Sequence, residues 1–93
     1  MQFNKETFKK KFFLIYGMGK TGLSSYNYLK KNNKVFLYDD NKKIFKKKKI
    51  KKFFIEKKRI TQKKFDYILI SPGINVNTCS LKNYLKKNLK KII

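Results

Sequence analysis

Gly17-Met18-Gly19-Lys20-Thr21-Gly22 follows directly on the apolar run Phe12-Phe13-Leu14-Ile15-Tyr16, and its glycines stand at the G-x-G-x-x-G spacing of a turn that cradles phosphate. Glycine permits the tight bend and the close approach of backbone to ligand. The helix that must follow offers its unpaired N–H groups to a negative charge. Gly17, Gly19, Lys20, Thr21 and Gly22 are therefore the candidate diphosphate cradle. A second loop, Ser71-Pro72-Gly73-Ile74, ends the apolar run Tyr67-Ile68-Leu69-Ile70. Between them Asp39, with Asp40 and Asn41 beside it, follows Val35-Phe36-Leu37-Tyr38, about where a dinucleotide fold keeps the acid that accepts a ribose hydroxyl. Ends of parallel strands open onto one edge of a sheet, where open α/β folds bind their ligands. The chemistry these residues suit is recognition of a nucleotide diphosphate.

Each loop also has a plainer use. A glycine such as Gly19 can serve only to pack a helix against a strand, Asp39 can be an ordinary turn residue after a strand, and Ser71-Pro72-Gly73 can be a common turn. The position of the first glycines at a strand end, ahead of an amphipathic segment, favours phosphate binding. No catalytic residue is expected. The chain has no His to activate Cys79, and that single Cys excludes an internal disulfide and a structural zinc site.

The elements that position these loops alternate. Residues 12–16 read as a strand buried on both faces. Leu23, Tyr26 and Leu29 then fall at helical spacing over about three turns, with Lys30 and Lys31 suited to the C-terminus and Asn32-Asn33 able to supply a left-handed cap. Val35–Tyr38 is a second strand. Lys42–Lys52 is Lys-rich and suggests a short helix and a loop, and Phe53-Phe54-Ile55 a short third strand. Asp66–Ile70 is a firmer strand, bounded by charge before it and Pro-Gly after it. Leu81, Tyr84, Leu85 and Leu89 repeat at helical spacing, with Asn77, Thr78 or Ser80 as candidate caps. Ile92-Ile93 begins what looks like a further strand. The expected fold is α/β, a Rossmann-like parallel sheet flanked by helices, in a single small domain truncated at its last strand.

Ninety-three residues, 41% apolar and 16% aromatic, suit one modest core and not a disordered tail. No apolar run approaches the roughly 20 residues of a membrane span, and no signal-peptide pattern opens the chain, so a cytoplasmic protein is expected. The net charge of +21 invites a nucleic-acid partner. Against this, Arg59 is the single Arg among 26 basic residues, although phosphate and base recognition favour the guanidinium fork. The lysines are spread along the whole chain, as when Lys and Asn fill solvent-facing positions, and no specific nucleic-acid partner is expected.

GMGKTGLS after a strand, Asp-Asp-Asn after the second strand and SPGI after a later one resemble the N-terminal, UDP-binding domain of the Mur ligases, in the D-glutamate-adding (MurD) branch. The resemblance runs from about residue 8 to the end. It implies that residues 1–93 are a UDP-sugar-binding domain for UDP-N-acetylmuramoyl-L-alanine, monomeric and cytoplasmic. The backbone at Lys20 and Thr21 would face the diphosphate, Asp39, Asp40 and Asn41 the uridine, and Ser71, Pro72 and Gly73 would wall the pocket. In the family, ATP phosphorylates the substrate carboxylate and the amine of D-glutamate attacks the acyl phosphate, with magnesium and a phosphate-binding loop supplied by a central domain and a third domain closing over it. This chain lacks a G-x-x-x-x-G-K-[ST] loop, so ATP and magnesium are implied for a full-length ligase and no cofactor for these residues alone. The rivals are a nicotinamide-dinucleotide domain and a basic nucleic-acid-binding module.

Overall fold

The computed structural model describes residues 10–41, 43–44 and 51–93. Strand β1 (Phe12–Tyr16) runs between β2 (Lys34–Tyr38) and β3 (Tyr67–Ile70), parallel to both. Single parallel bridges extend the sheet at each margin, Phe54 beside Leu37 and Ile92 beside Ile68. The chain therefore steps outward from β1 to β2 and Phe54, returns to the far side of β1 as β3, and steps outward again to Ile92. That order is the one a doubly wound nucleotide-binding sheet follows, and the Rossmann-like α/β class holds. The third strand expected at Phe53–Ile55 is reduced to its one bridge, in which Leu37 N donates to Phe53 O and Ile55 N to Leu37 O, each at 2.9 Å. Ile93 N donates to Ile68 O at 3.1 Å, so pairing does begin at Ile92-Ile93.

The unbroken apolar run of β1 has a direct cause. Phe13 and Ile15 pack with Tyr26 and Leu29 of α1 (Lys20–Leu29) on one face. Leu14 and Tyr16 pack on the other face with Ile60 of α2 (Lys57–Ile60), and with Leu81 and with Leu85 of α3 (Lys82–Lys87). A strand covered on both sides cannot alternate apolar with polar residues. Asp66 closes the opposite end of the strand pair, its N–H donating to Phe12 O at 2.8 Å and its Oδ2 accepting from Phe12 N at 2.7 Å.

Four expectations are corrected. Leu23 is 42% exposed, and the buried stripe of α1 is Gly22, Ser25, Tyr26 and Leu29. Gly22 brings the helix backbone against the sheet, which turns Leu23 about 100° away. Asn32-Asn33 forms no left-handed cap; instead Asn33 Nδ2 donates to Leu29 O at 3.1 Å while its Oδ1 accepts from Lys11 N at 3.0 Å. None of Asn77, Thr78 and Ser80 caps α3, which starts after Leu81 without a side-chain cap, because Ser80 is engaged with Asp40. Leu89 is 66% exposed in the short 3-10 turn Leu89–Lys91, since α3 ends at Lys87 and Asn88 Nδ2 bonds back to Tyr84 O at 2.8 Å. Most of the helix expected within Lys42–Lys52 lies outside the described residues. Among the described residues no helix is long and apolar enough to cross a membrane.

Lysine contributes to the packing as well as to the charge. Lys30 Nζ lies 5.2 Å from the Tyr26 ring centre, and Lys63 Nζ 4.5 Å from that of Phe36. Such side chains cover aromatic surface with their stems and keep the ammonium in water. Truncating the two leucines of α1 separates its faces: Leu29→Ala should cost about 2–5 kcal/mol, whereas Leu23→Ala should cost about 0.5 kcal/mol or less, both read from denaturant unfolding of the purified chain.

Candidate functional site

The switch in strand order falls between β1 and β3, so a crevice is expected beyond their carboxyl ends, where the connections leave in opposite directions. The two loops singled out in the sequence meet there. Ser71 N donates to Tyr16 O at 2.9 Å as β3 ends, and Ser71 Oγ donates to Gly17 O at 2.9 Å. Gly17 has φ +99°, in the region that favours glycine, and its own N–H continues the ladder to Tyr38 O at 2.8 Å. A Cβ on Gly17 would lie 2.7 Å from the Ser71 side chain.

Gly22 makes the tightest approach in the site. A Cβ there would fall 2.0 Å from Gly17 O, so only glycine lets the first turn of α1 settle on the carbonyl that Ser71 also holds. The glycine that packs helix against strand is thus Gly22. Gly19 has nothing within 4 Å of the position of a Cβ, and Gly73 likewise. Gly19 is the N-cap of α1 with no side-chain cap, and Leu23 N makes the first helical bond, to Gly19 O at 3.0 Å. The N–H groups of Lys20, Thr21 and Gly22 precede that bond and are the unpaired donors of the helix start. No acid stands in this first turn, and Lys20 places a cation at the positive end of the helix dipole. An anion over the turn would relieve that repulsion. Lys20, Thr21 and Gly19 are exposed, and Gly17 and Gly22 are buried beneath them.

The acid segment lies against the same turn. Asp39 Oδ2 accepts from Met18 N at 2.8 Å, and its Oδ1 accepts from Asn41 N at 2.8 Å. Asn41 Oδ1 accepts from Lys43 N at 3.2 Å, so this segment is a chain of Asx turns ending beside the glycines. Asp40 faces elsewhere: its Oδ2 accepts from Tyr16 Oη at 2.6 Å and its Oδ1 from Ser80 Oγ. Ser71-Pro72-Gly73-Ile74 is a tight turn closed by Ile74 N to Ser71 O at 3.0 Å, with Pro72 and Gly73 exposed at its tip. All eleven candidate residues thus gather at one sheet edge. Two clefts of about 560 and 600 Å³ open at the opposite edge, beside Lys31 and Lys34, and neither is lined by any of these residues.

Sequence reasoning missed the Tyr16–Asp40–Ser80 contacts. Tyr16 is fully buried, and burial together with its hydrogen bond to Asp40 pushes its hydroxyl pKa well above the usual tyrosine range. The available signal was the paired tyrosines Tyr16 and Tyr38, which stand opposite each other at the last positions of β1 and β2.

Fold and site together define an α/β domain whose switch-point edge is built from a glycine turn, an acid segment and a Ser-Pro-Gly turn. Residues 11–93 match the family model described as Mur ligase MurD-like, N-terminal domain. The chain belongs to that family, the N-terminal domains of peptidoglycan ligases. Comparison with curated proteins and with solved structures finds no match.

The glycines should respond differently to one methyl group. Gly22→Ala raises helix propensity by about 1 kcal/mol, yet the collision with Gly17 O should turn this into a net loss of about 1–3 kcal/mol. Gly19→Ala should stay within about 0.5 kcal/mol of the parent. Thermal unfolding of the two variants side by side checks the contrast.

Proposed function

We propose that this chain binds UDP-N-acetylmuramoyl-L-alanine and is the substrate-holding domain of the ligase that adds D-glutamate during peptidoglycan precursor synthesis. The observation that carries this is the meeting of Gly17, Gly22 and Ser71 at the switch point, directly under the uncapped start of α1. The N–H groups of Lys20 and Thr21 would receive the diphosphate, where the dipole and the missing cap both favour negative charge. Asp39 and Asn41 lie toward the uridine end on this reading, and Pro72 and Gly73 wall the pocket beside the nucleotide and sugar. The protein would work as a monomer in the cytoplasm.

Bond-making chemistry would come from central and C-terminal ligase domains. The residues of this chain do not fit a magnesium–ATP site: Gly19-Lys20-Thr21 lacks the first glycine of a nucleoside-triphosphate loop, whose position is taken by Leu14 of β1, and among the described residues no cluster of three or more His, Cys, Asp or Glu could hold a metal. A nicotinamide dinucleotide would ask Asp39 to receive ribose hydroxyls. Nothing in that class calls for the Ser71-Pro72-Gly73 turn, which favours the UDP-sugar.

Gly19→Val tests the cradle. The open space over Gly19 leaves the fold intact, while the branched side chain stands where a diphosphate would approach the N–H groups. Affinity for the UDP-sugar, read by calorimetric titration, should fall by about tenfold or more. Parental affinity in a folded Gly19→Val chain would refute the cradle.

A further inference from the structure

One polar cluster at the crevice has no part in holding a diphosphate. Tyr16 ends β1 with its ring fully buried, and its hydroxyl donates to Asp40 Oδ2 at 2.6 Å. Ser80 Oγ donates to Asp40 Oδ1 from the segment that leads into α3. Tyr38 Oη lies 3.3 Å from Ser80 Oγ, and the two tyrosine rings meet edge to face at 5.4 Å. A buried phenol must find an acceptor, and a carboxylate makes the stronger kind of hydrogen bond. Asp40 is an exposed residue, yet both its oxygens are turned to protein donors. It ties together three segments far apart in sequence: the end of β1, the stretch after β2 and the approach to α3.

The neighbours of Asp40 are the residues that reach the glycine turn. Asp39 holds Met18 N through one oxygen and Asn41 N through the other. Wherever Asp40 is anchored, these two residues are fixed relative to the cradle. Turning the Asp40 carboxylate to a ligand would take from the buried Tyr16 hydroxyl its hydrogen bond to a charged acceptor.

We infer that Asp40 is a positioning residue, which Tyr16 and Ser80 clamp so that Asp39 and Asn41 present the nucleoside-binding surface while Asp40 itself stays off the ligand. This rests on the crevice being a nucleotide site, and its test separates the two claims. UDP and inorganic diphosphate are titrated into the full 93-residue chain and into its Tyr16→Phe and Ser80→Ala variants, each of which leaves the Asp40 carboxylate in place. Each variant should weaken UDP by about tenfold, the order expected for loss of one hydrogen bond to a charged group, and shift diphosphate by less than about twofold. A purely structural role would move both probes together, and a direct contact from Asp40 would leave UDP binding to Tyr16→Phe unchanged; either result overturns the assignment. Amide exchange without ligand gives the second readout: Met18 and Asn41 should exchange at least about tenfold faster in Tyr16→Phe while core amides of β1 keep their protection. Unchanged exchange at Met18 and Asn41 refutes the clamp. A parent chain that binds neither probe refutes the nucleotide site, and the exchange result still decides whether the clamp exists.

Discussion

The carbonyl oxygen of Gly17 is the point on which the carboxyl edge of this sheet is assembled. It accepts the Ser71 hydroxyl from one side and lies under Gly22 from the other, closer than any side chain would allow. Gly17 itself needs the positive φ that turns the chain out of β1 at that spot. One oxygen thereby sets the distance between the first and third strand ends, the height of α1 above the sheet and the rotation of the helix. The sealed base and the open top of the turn follow from the same contact. Gly17 and Gly22 are consumed in packing, and Gly19 is left with free space above donors that the helix cannot satisfy.

That division of labour explains how so small a chain combines a core with the edge proposed to bind ligand. Both faces of β1 are covered, one by α1 and the other by the side carrying Ile60, Leu81 and Leu85, so its residues are occupied with burial. Ligand-facing groups are left to the loops at the strand ends, as in other parallel sheets. The net charge of +21 adds a long-range attraction for any anionic ligand, and that contribution is weakened by salt. On the proposed reading, specific recognition comes instead from the backbone donors and from the acid segment pinned to Met18.

Features encoded by neighbouring residues were legible in the sequence. The strands at 12–16, 35–38 and 67–70 could be read because a buried parallel strand is a short apolar run with a turn signal after it, and the glycine spacing placed α1 correctly. Features that depend on distant partners were not. The phase of α1 is set by the contact of Gly22 with Gly17 O, so spacing alone wrongly put Leu23 on the core. Ser80 looked like a cap because Ser before a helix usually is one, but Asp40, brought near by the fold, captures its hydroxyl. Asn33 likewise caps α1 with its side chain, which also reaches Lys11 N. The grouping of candidate site residues at one edge was readable from the topology, whereas the inward turn of Asp40 was hidden in the pairing of positions 16, 40 and 80.

Amide-shift titration of the isotopically labelled chain with UDP-N-acetylmuramoyl-L-alanine at physiological salt, with a nicotinamide dinucleotide as comparison, tests the central claim most directly. Saturable shifts at Lys20, Thr21, Asn41 and Gly73 with the UDP-sugar, and none with the dinucleotide, are the result this account predicts. Shifts with the dinucleotide alone, or none with the UDP-sugar in a folded sample, would contradict it.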